Sequence, residues 1–116
     1  PELKIDAERQ FPEINFAFFN ILQQMEPFGP ENMKPVFTSR QDRDTGYSRI
    51  IKEKHIRFSL RQRHIVLSGI GFNMADKMVL LSQPIDIVYT LDENVRNGER
   101  SLQLRVLDVK VSELNR

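Results

Sequence analysis

The sequence contains no cysteine and no tryptophan, and it has only two histidines among 116 residues. Without cysteine there is neither a disulfide framework nor a thiolate zinc site. This is compatible with a reducing cytosol, and we expect a cytoplasmic protein. No apolar run approaches the roughly 18 residues that a membrane-spanning helix needs, and no signal-peptide pattern opens the chain. We therefore expect no membrane partner.

Recognisable catalytic patterns are also lacking. His55 and His64 stand alone, with no paired acids and no His-x-x-x-His spacing around them. No glycine-rich phosphate loop follows a strand, and no serine has a base partner in a known motif. Asp42 and Asp44 precede a Thr-Gly turn, and turn formation explains them better than a cation site does. We expect this chain alone to have no catalytic residue, no metal site and no cofactor.

What the sequence does have is an uneven distribution of charge. Its length fits one domain, and 40% hydrophobic residues allow a modest core. The chain begins at Pro1 rather than Met, so we expect it to be a piece of a longer protein. The net charge is only +1, but residues 40–64 carry eight basic and three acidic side chains. This concentration suggests a surface that faces a polyanion, although a solvated hairpin with charged outer positions explains it equally well.

The first part of the chain predicts an amphipathic helix over about Glu13–Met25. Apolar residues recur on one face of it at helical spacing: Ile14, Phe18, Ile21, Leu22 and Met25. Pro27 ends the helix and begins the stretch PFGPENMKP, Pro27–Pro35. Because each proline fixes φ, we interpret this stretch as a rigid strap, with direct contact to a bound ligand as the alternative. Residues 1–35 are thus predicted to be an N-terminal segment with a linker helix and a proline-rich strap.

Residues 36–116 are predicted to form a second unit, in which the apolar period becomes two. Five strands are predicted: an interrupted strand over 36–51, then HIRFSLR, HIVLSGIGF, IDIVYTL and SLQLRVLDVKV. A tight turn is predicted at Gln62-Arg63, and Asn73 is predicted to cap a short helix whose buried face is Met74, Met78 and Leu81. In the last strand the apolar phase slips at Leu107, which implies a bulge.

This order predicts a mainly β fold. It is that of a five-stranded OB-fold, a Greek-key barrel with a short helix between strands 3 and 4, here preceded by an N-terminal amphipathic helix. Gly69 and Gly71 occupy alternate positions on one face of the third strand, where glycine allows a bend or close backbone approach. Together with the phase slip, they supply the strong bends that a small closed barrel requires.

Binding is the better functional prospect for such a barrel. OB-folds bind single strands on strands two and three, aided by the loops joining strands one to two and four to five. Because tryptophan is absent and the phenylalanines mostly have the phase of core residues, we expect a weak, salt-sensitive grip on phosphates. An oligosaccharide would require more exposed aromatic side chains. The predicted nucleic-acid-binding residues are Arg49, Lys52, Lys54, Arg57, Arg61, Arg96, Arg100 and the aromatic Tyr47.

The N-terminal part of the sequence also resembles a known family. ELKIDAE, the helix, and QMEPFGPENMKPVF are similar to the C-terminal region of RecJ-type single-stranded-DNA-specific exonucleases, whose usual form is close to L-x-P-F-G-x-x-N-x-x-P-x-F. HIRFSL, IGF, IDIVYTLDEN and SLQLRVLDV are similar as well, so the resemblance covers nearly all 116 residues. The residues that match fixed positions are Met25, Pro27, Phe28, Gly29, Asn32, Pro35 and Phe37, with Met25 standing where Leu is commoner.

The resemblance implies a parent protein that is a 5′-to-3′ single-strand exonuclease of the DHH phosphoesterase superfamily, active in DNA repair and recombination. It implies Mn²⁺ or Mg²⁺ in a catalytic domain outside this chain, and no catalytic or metal-binding residue carries over. The implied partners are single-stranded DNA and the catalytic domains of the same protein. The alternative is a docking module that braces those domains, or receives a protein partner, without binding DNA itself.

Overall fold

A computed structural model describes residues 4–25 and 34–113 of the chain. The predicted strap at Pro27–Pro35 therefore lies almost wholly outside the described residues. In chain order the elements are β1 Ala7–Glu8, a first 3₁₀ helix Phe11–Glu13, α1 Phe16–Gln24, β2 Phe37–Asp44, β3 Arg49–Ile51, β4 His55–Gln62, β5 Ile65–Gly71, a second 3₁₀ helix Ala75–Ser82, β6 Ile85–Arg96 and β7 Glu99–Val111.

The strands form one mixed sheet in the order β1-β2-β6-β7-β5-β4-β3. An additional pairing between β2 and β4 closes β2, β6, β7, β5 and β4 into a ring. The pairs β1–β2 and β5–β7 are parallel, and the other pairings are antiparallel. The result is a small β-barrel with two short strands outside the ring.

The predicted number of five strands is wrong, because the described part of the chain has seven. β1 is a two-residue strand that adds to the edge of β2. The first predicted strand is two strands, β2 and β3, because the chain turns between them at Gly46, whose φ is 96°. Both segments then pair with β4, β2 through Arg43 and Asp44 and β3 through all three of its residues.

The predicted helices are also placed differently. α1 begins after Asn15, whose side chain accepts a hydrogen bond from the Phe18 N–H at 2.9 Å, and so starts later than predicted. Three residues of the predicted apolar face do contact the core: Ile14 is buried just before the helix, and Phe18 and Leu22 pack against the core from half-buried positions. Phe19, which the prediction left out, is buried, while Ile21 and Met25 are 57% and 59% exposed.

The second predicted helix is a 3₁₀ helix between β5 and β6. Met74 takes the N-cap position that was predicted for Asn73, and it makes no side-chain capping bond. Asn73 has a φ of 56°, in the left-handed region, and belongs to the turn that precedes the helix. Met74 and Leu81 are buried, as predicted, and Met78 packs against the core from a half-buried position.

The barrel interior is filled by alternate residues of the long strands. Ile56, Phe58 and Leu60 of β4 point inward and are almost fully buried. In β7, Leu104 and Val106 are buried and then Val109, because the pairing with β6 shifts by one residue between Val88 and Tyr89. The shift leaves Leu107 without a register partner, which confirms the predicted bulge.

Closure of the barrel depends on the absence of a side chain at Gly69. A Cβ built there lies 3.1 Å from both the Cβ and the carbonyl oxygen of Leu104, which is closer than side chains normally approach. Gly69 is the register partner of Leu104 in the parallel β5–β7 pair. Glycine at this position therefore lets β5 and β7 approach closely enough to complete the ring.

A buried polar network holds the N-terminal segment to the barrel. The side-chain amide nitrogen of Gln62, Nε2, lies 2.9 Å from Ser39 Oγ, 3.1 Å from Asp42 Oδ1 and 2.9 Å from the Arg40 carbonyl oxygen. Its amide oxygen accepts the Phe11 N–H at 2.6 Å. Gln62 is thus a buried residue of β4 and not part of the predicted Gln62-Arg63 turn. The turn lies one residue later, at residues 63–64.

Asp42 is also not the turn acid that the sequence predicts, because it is fully buried inside β2. Burial raises its pKa from 3.8 to about 7; the hydrogen bond from Ser39 lowers the pKa and nearby Asp86 raises it further. Among the described residues, its second carboxylate oxygen has no hydrogen-bond partner. The folded chain thus holds a proton that the unfolded chain releases, and the stability that this proton supplies is lost as the pH rises through about 7.

Replacing Asp42 with Asn is expected to stabilise the fold at about pH 8, because a neutral amide replaces a buried charge. The gain in the free energy of unfolding should be of the order of 1–4 kcal/mol and should shrink towards about pH 5. Urea unfolding at the two pH values measures it, with Asp76→Asn, an exposed position, as the control. A D42N variant that is less stable than the parent at about pH 8 contradicts this account.

Candidate nucleic-acid interface

The strand β4 has an apolar inward face and a positively charged outward face. Ile56, Phe58 and Leu60 fill the barrel, so the alternation of the strand turns Arg57 and Arg61 towards solvent. Both arginines are exposed, as predicted from the sequence. β4 therefore contributes to the core and to the candidate binding surface at the same time.

Each of these arginines lies opposite another arginine. Arg57 pairs with Arg49 of β3, and Arg61 pairs with Arg43 of β2. Like charges directly opposite one another destabilise a sheet. Across residues 4–25 and 34–113, none of the four takes part in an ion pair with a carboxylate. These four residues, called the arginine quartet below, form a cationic surface that an external anion can compensate.

A hydroxyl network fixes the connection between β2 and β3 beside the quartet. Ser48 Oγ accepts the Ser59 N–H at 2.9 Å, and Thr45 Oγ1 lies 2.7 Å from Ser59 Oγ. The Thr45 N–H also donates to the Ser59 carbonyl oxygen at 3.0 Å. Tyr47, the predicted aromatic contact, lies in this connection and is 80% exposed. Its ring is thus available to a ligand at the border of the quartet.

The predicted residues of the β6–β7 hairpin meet β4 at a groove of about 360 Å³. Arg57 lines this groove together with Arg96, Arg100 and Ser68. Arg100 also pairs with Glu93, and its guanidinium carbon lies 4.6 Å from the centre of the Phe16 ring. Arg100 therefore connects the hairpin to α1, and part of its charge is compensated within the chain.

The two lysines of the predicted site lie at the other end of β4. Lys52 and Lys54 belong to the β3–β4 turn, beside the Ile51–His55 pair. β7 runs parallel to β5 with Leu104 beside Gly69, so the β6–β7 hairpin lies towards the beginning of β5. The two loops therefore border the face of β4 and β5 from opposite ends, and the eight residues of β4 span about 26 Å.

Three residues near this surface were missed by the sequence analysis: Arg43, Arg105 and Phe72. Arg105 lies beside Ile70 of β5, and its guanidinium carbon is 4.5 Å from the centre of the Phe72 ring. The expectation that phenylalanines occupy the core is wrong for Phe72, which is 44% exposed. Its orientation was available from the sequence, because Gly69 and Gly71 face inward and residues between and after them must face outward.

Metal ligation and membrane insertion find no support in the described ranges. Within them, no group of three or more histidine, aspartate or glutamate side chains is arranged to hold a metal ion. No helix in these ranges combines the length and the apolar character needed to cross a bilayer.

A closed ring of five strands, with a 3₁₀ helix between β5 and β6 and a cationic outward face, is compatible with the OB-fold class of small barrels. Comparison with known families makes the assignment specific. The chain belongs to the RecJ OB domain family, which matches residues 5–108.

Solved structures agree with this fold. RecJ from Thermus thermophilus in complex with Mn²⁺ is 22% identical, with a TM-score of 0.60, and the match covers 84% of this chain and 14% of that one. The same protein in complex with Mg²⁺ gives 22% identity and a TM-score of 0.59, covering 84% of this chain and 15% of that one. Comparison with curated proteins found no significant match. The chain thus spans about one seventh of the length of these RecJ proteins.

The opposed arginines predict that Arg49→Glu stabilises the domain, because Arg57 then faces a carboxylate instead of a like charge. We expect a gain of roughly 0.2–1 kcal/mol in the free energy of unfolding at low salt. The gain should decrease at high salt, where surface charges are screened. Urea unfolding at two salt concentrations measures it, with Arg63→Glu in the β4–β5 turn as the matched control. A loss of stability at low salt would show that the pair is not repulsive.

Proposed function

We propose that this chain is the single-stranded-DNA-binding OB domain of a RecJ-like 5′-to-3′ exonuclease that acts in DNA repair and recombination, and that it is not catalytic by itself. The observation that carries the proposal is the arginine quartet. Its members face one another in two cross-strand pairs. The repulsion within each pair decreases when a phosphate binds between or beside the guanidinium groups.

The shape of the surface favours an extended single strand. The face of β4 and β5 is bordered at one end by the β3–β4 turn and at the other by the β6–β7 hairpin, so a strand that crosses it meets cations along its path. Arg57 and Arg61 contact phosphates at the centre, with Arg43 and Arg49 beside them. Arg96 and Arg100 act from the hairpin, and Lys52 and Lys54 from the turn.

Phosphate contacts position a strand without reading its sequence, so we propose binding with little sequence preference. Hydrolysis of the phosphodiester belongs to catalytic domains outside this chain, and so do the Mn²⁺ or Mg²⁺ ions that it uses. In this arrangement the OB domain holds the substrate strand and directs it to those domains.

The proposal predicts salt-sensitive binding of a labelled oligothymidylate. Arg57→Ala and Arg61→Ala should each weaken binding several-fold and reduce the slope of log K against log salt by about 0.7, the value for one phosphate contact on a single strand. Fluorescence anisotropy over a salt series measures both quantities. Lys110→Ala, which removes the same charge from the far end of β7, serves as the control and should bind like the parent.

No detectable binding at about 20 mM salt, where phosphate contacts are strongest, would refute the proposal. Equal losses in the Lys110 and Arg57 variants would show that net charge matters and that the quartet does not. Urea unfolding of each variant distinguishes a lost contact from a lost fold.

A second candidate function is docking onto the catalytic domains of the same protein. It is favoured by α1, where Ile21 and Met25 border an apolar groove of about 630 Å³ that also includes Phe18 and Val36. The catalytic domains are the proposed occupant, because about six sevenths of a RecJ chain lies outside the matched region. A chain that binds no DNA, and whose association with a RecJ catalytic core is lost on Ile21→Lys, would favour docking over DNA binding.

A further inference from the structure

An exposed aromatic cluster lies on the same barrel face as the arginine quartet. Phe72 follows the last residue of β5, with Arg105 of β7 on one side and His55 of β4 on another. Of the seven phenylalanines within the described residues, Phe72 is the only one that is exposed. Phe72, Arg105 and His55 are called the Phe72 cluster below.

The ring is held in place by its neighbours. The Arg105 guanidinium carbon lies 4.5 Å from its centre, and the His55 ring lies 5.1 Å away at an interplanar angle of 74°. His55 is fixed in turn, because its Nδ1 accepts the Asn73 N–H at 2.9 Å. A ring that is already ordered loses little conformational entropy when a ligand packs on it.

The core does not need this ring. At this level of the barrel the interior is filled by Phe58 and Met74, and a Cβ built at Gly71 lies only 2.9 Å from Phe58 Cε2. Phe72, in the turn that follows β5, is instead 44% exposed. Its exposure is therefore not explained by a role in filling the barrel, and its removal leaves no internal cavity.

The strand register connects the cluster to the quartet. Arg57 is opposite Ile70, and Ile70 is beside Arg105, so the three form a row across β4, β5 and β7. Neighbouring strands are about 4.8 Å apart, which places the backbones of the two arginines about 10 Å apart with an apolar residue between them. Phe72 comes just after the end of β5, and its contact with the Arg105 guanidinium places its ring on the same face. Cationic and apolar side chains thus alternate across this face, with a spacing that suits the alternating phosphates and bases of a single nucleic-acid strand.

We propose that the Phe72 cluster is a base-stacking subsite. One nucleobase packs on the exposed part of Phe72 and on the Arg105 guanidinium, while Arg57 contacts an adjoining phosphate. Stacking on aromatic and arginine side chains is tolerant of sequence, because every base has a π face. The inference rests on the proposed function and adds to it a contact with the base, in a domain otherwise expected to grip phosphates.

The test compares an oligothymidylate with an abasic oligonucleotide of the same length, which keeps the phosphates and lacks the bases. Phe72→Ala should weaken oligothymidylate binding roughly 5-fold or more, the loss expected for one stacked base. Its salt slope should equal that of the parent, because no phosphate contact is removed. On the abasic strand the parent and F72A should bind equally, and Phe72→Trp should keep the preference for bases.

Two controls separate stacking from other effects. Val79→Ala removes an exposed apolar side chain elsewhere, on the second 3₁₀ helix, and should leave the affinity for both oligonucleotides unchanged. Arg57→Ala should weaken both ligands and reduce the salt slope. Urea unfolding should show that F72A is folded and at most about 1 kcal/mol less stable than the parent, because the ring contacts Arg105 and His55 but does not fill the core.

Each outcome decides between two statements. If F72A weakens both ligands equally, or neither, the stacking subsite is refuted while DNA binding by the domain stands. If the parent binds neither ligand at low salt, the proposed function itself is refuted and the subsite with it. A base-dependent loss with an unchanged salt slope supports both.

Discussion

The core and the cationic surface of this barrel both depend on the alternation of inward and outward side chains along β4. Ile56, Phe58 and Leu60 are needed inside to fill the ring, and this requirement turns Arg57 and Arg61 outward. A slip of one residue in the register would place guanidinium groups in the core, where the burial of a charge is costly. The pairings with β2, β3 and β5 therefore fix the core and the cationic surface together. Hydrophobic burial, which stabilises the fold, also holds the arginines in their repulsive arrangement.

The N-terminal segment belongs energetically to the barrel. Phe11, Ile14 and Phe19 are part of the same buried cluster as the strand residues, and Gln62 accepts the Phe11 N–H inside it. At the other end of the segment, Phe16 packs under Arg100 of the hairpin that borders the candidate groove. The position of α1 and the shape of the groove are thus coupled through these two contacts.

Sequence reasoning predicted the features that depend on neighbours along the chain. The outward arginines of β4, the bulge at Leu107 and the buried Met74 all follow from local alternation or spacing. The opposed arginine pairs, which it missed, depend on pairing between distant strands. Nothing in the sequence places Arg43 opposite Arg61, because that register is set by a bulge in β2 at Gln41, whose φ is 61°. For the same reason, Gln62 and Asp42 were interpreted as turn residues although they meet in the interior.

The opposed arginine pairs also determine what the empty domain carries with it. Facing guanidinium groups repel each other less when dissolved salt screens them, so the energy of the free surface depends on ionic strength. In the proposed complex, cations released from the phosphates of the strand would supply much of the free energy of binding. Dissolved salt is then expected to have two opposite effects: it screens the repulsion within the folded domain and weakens the grip on the proposed strand.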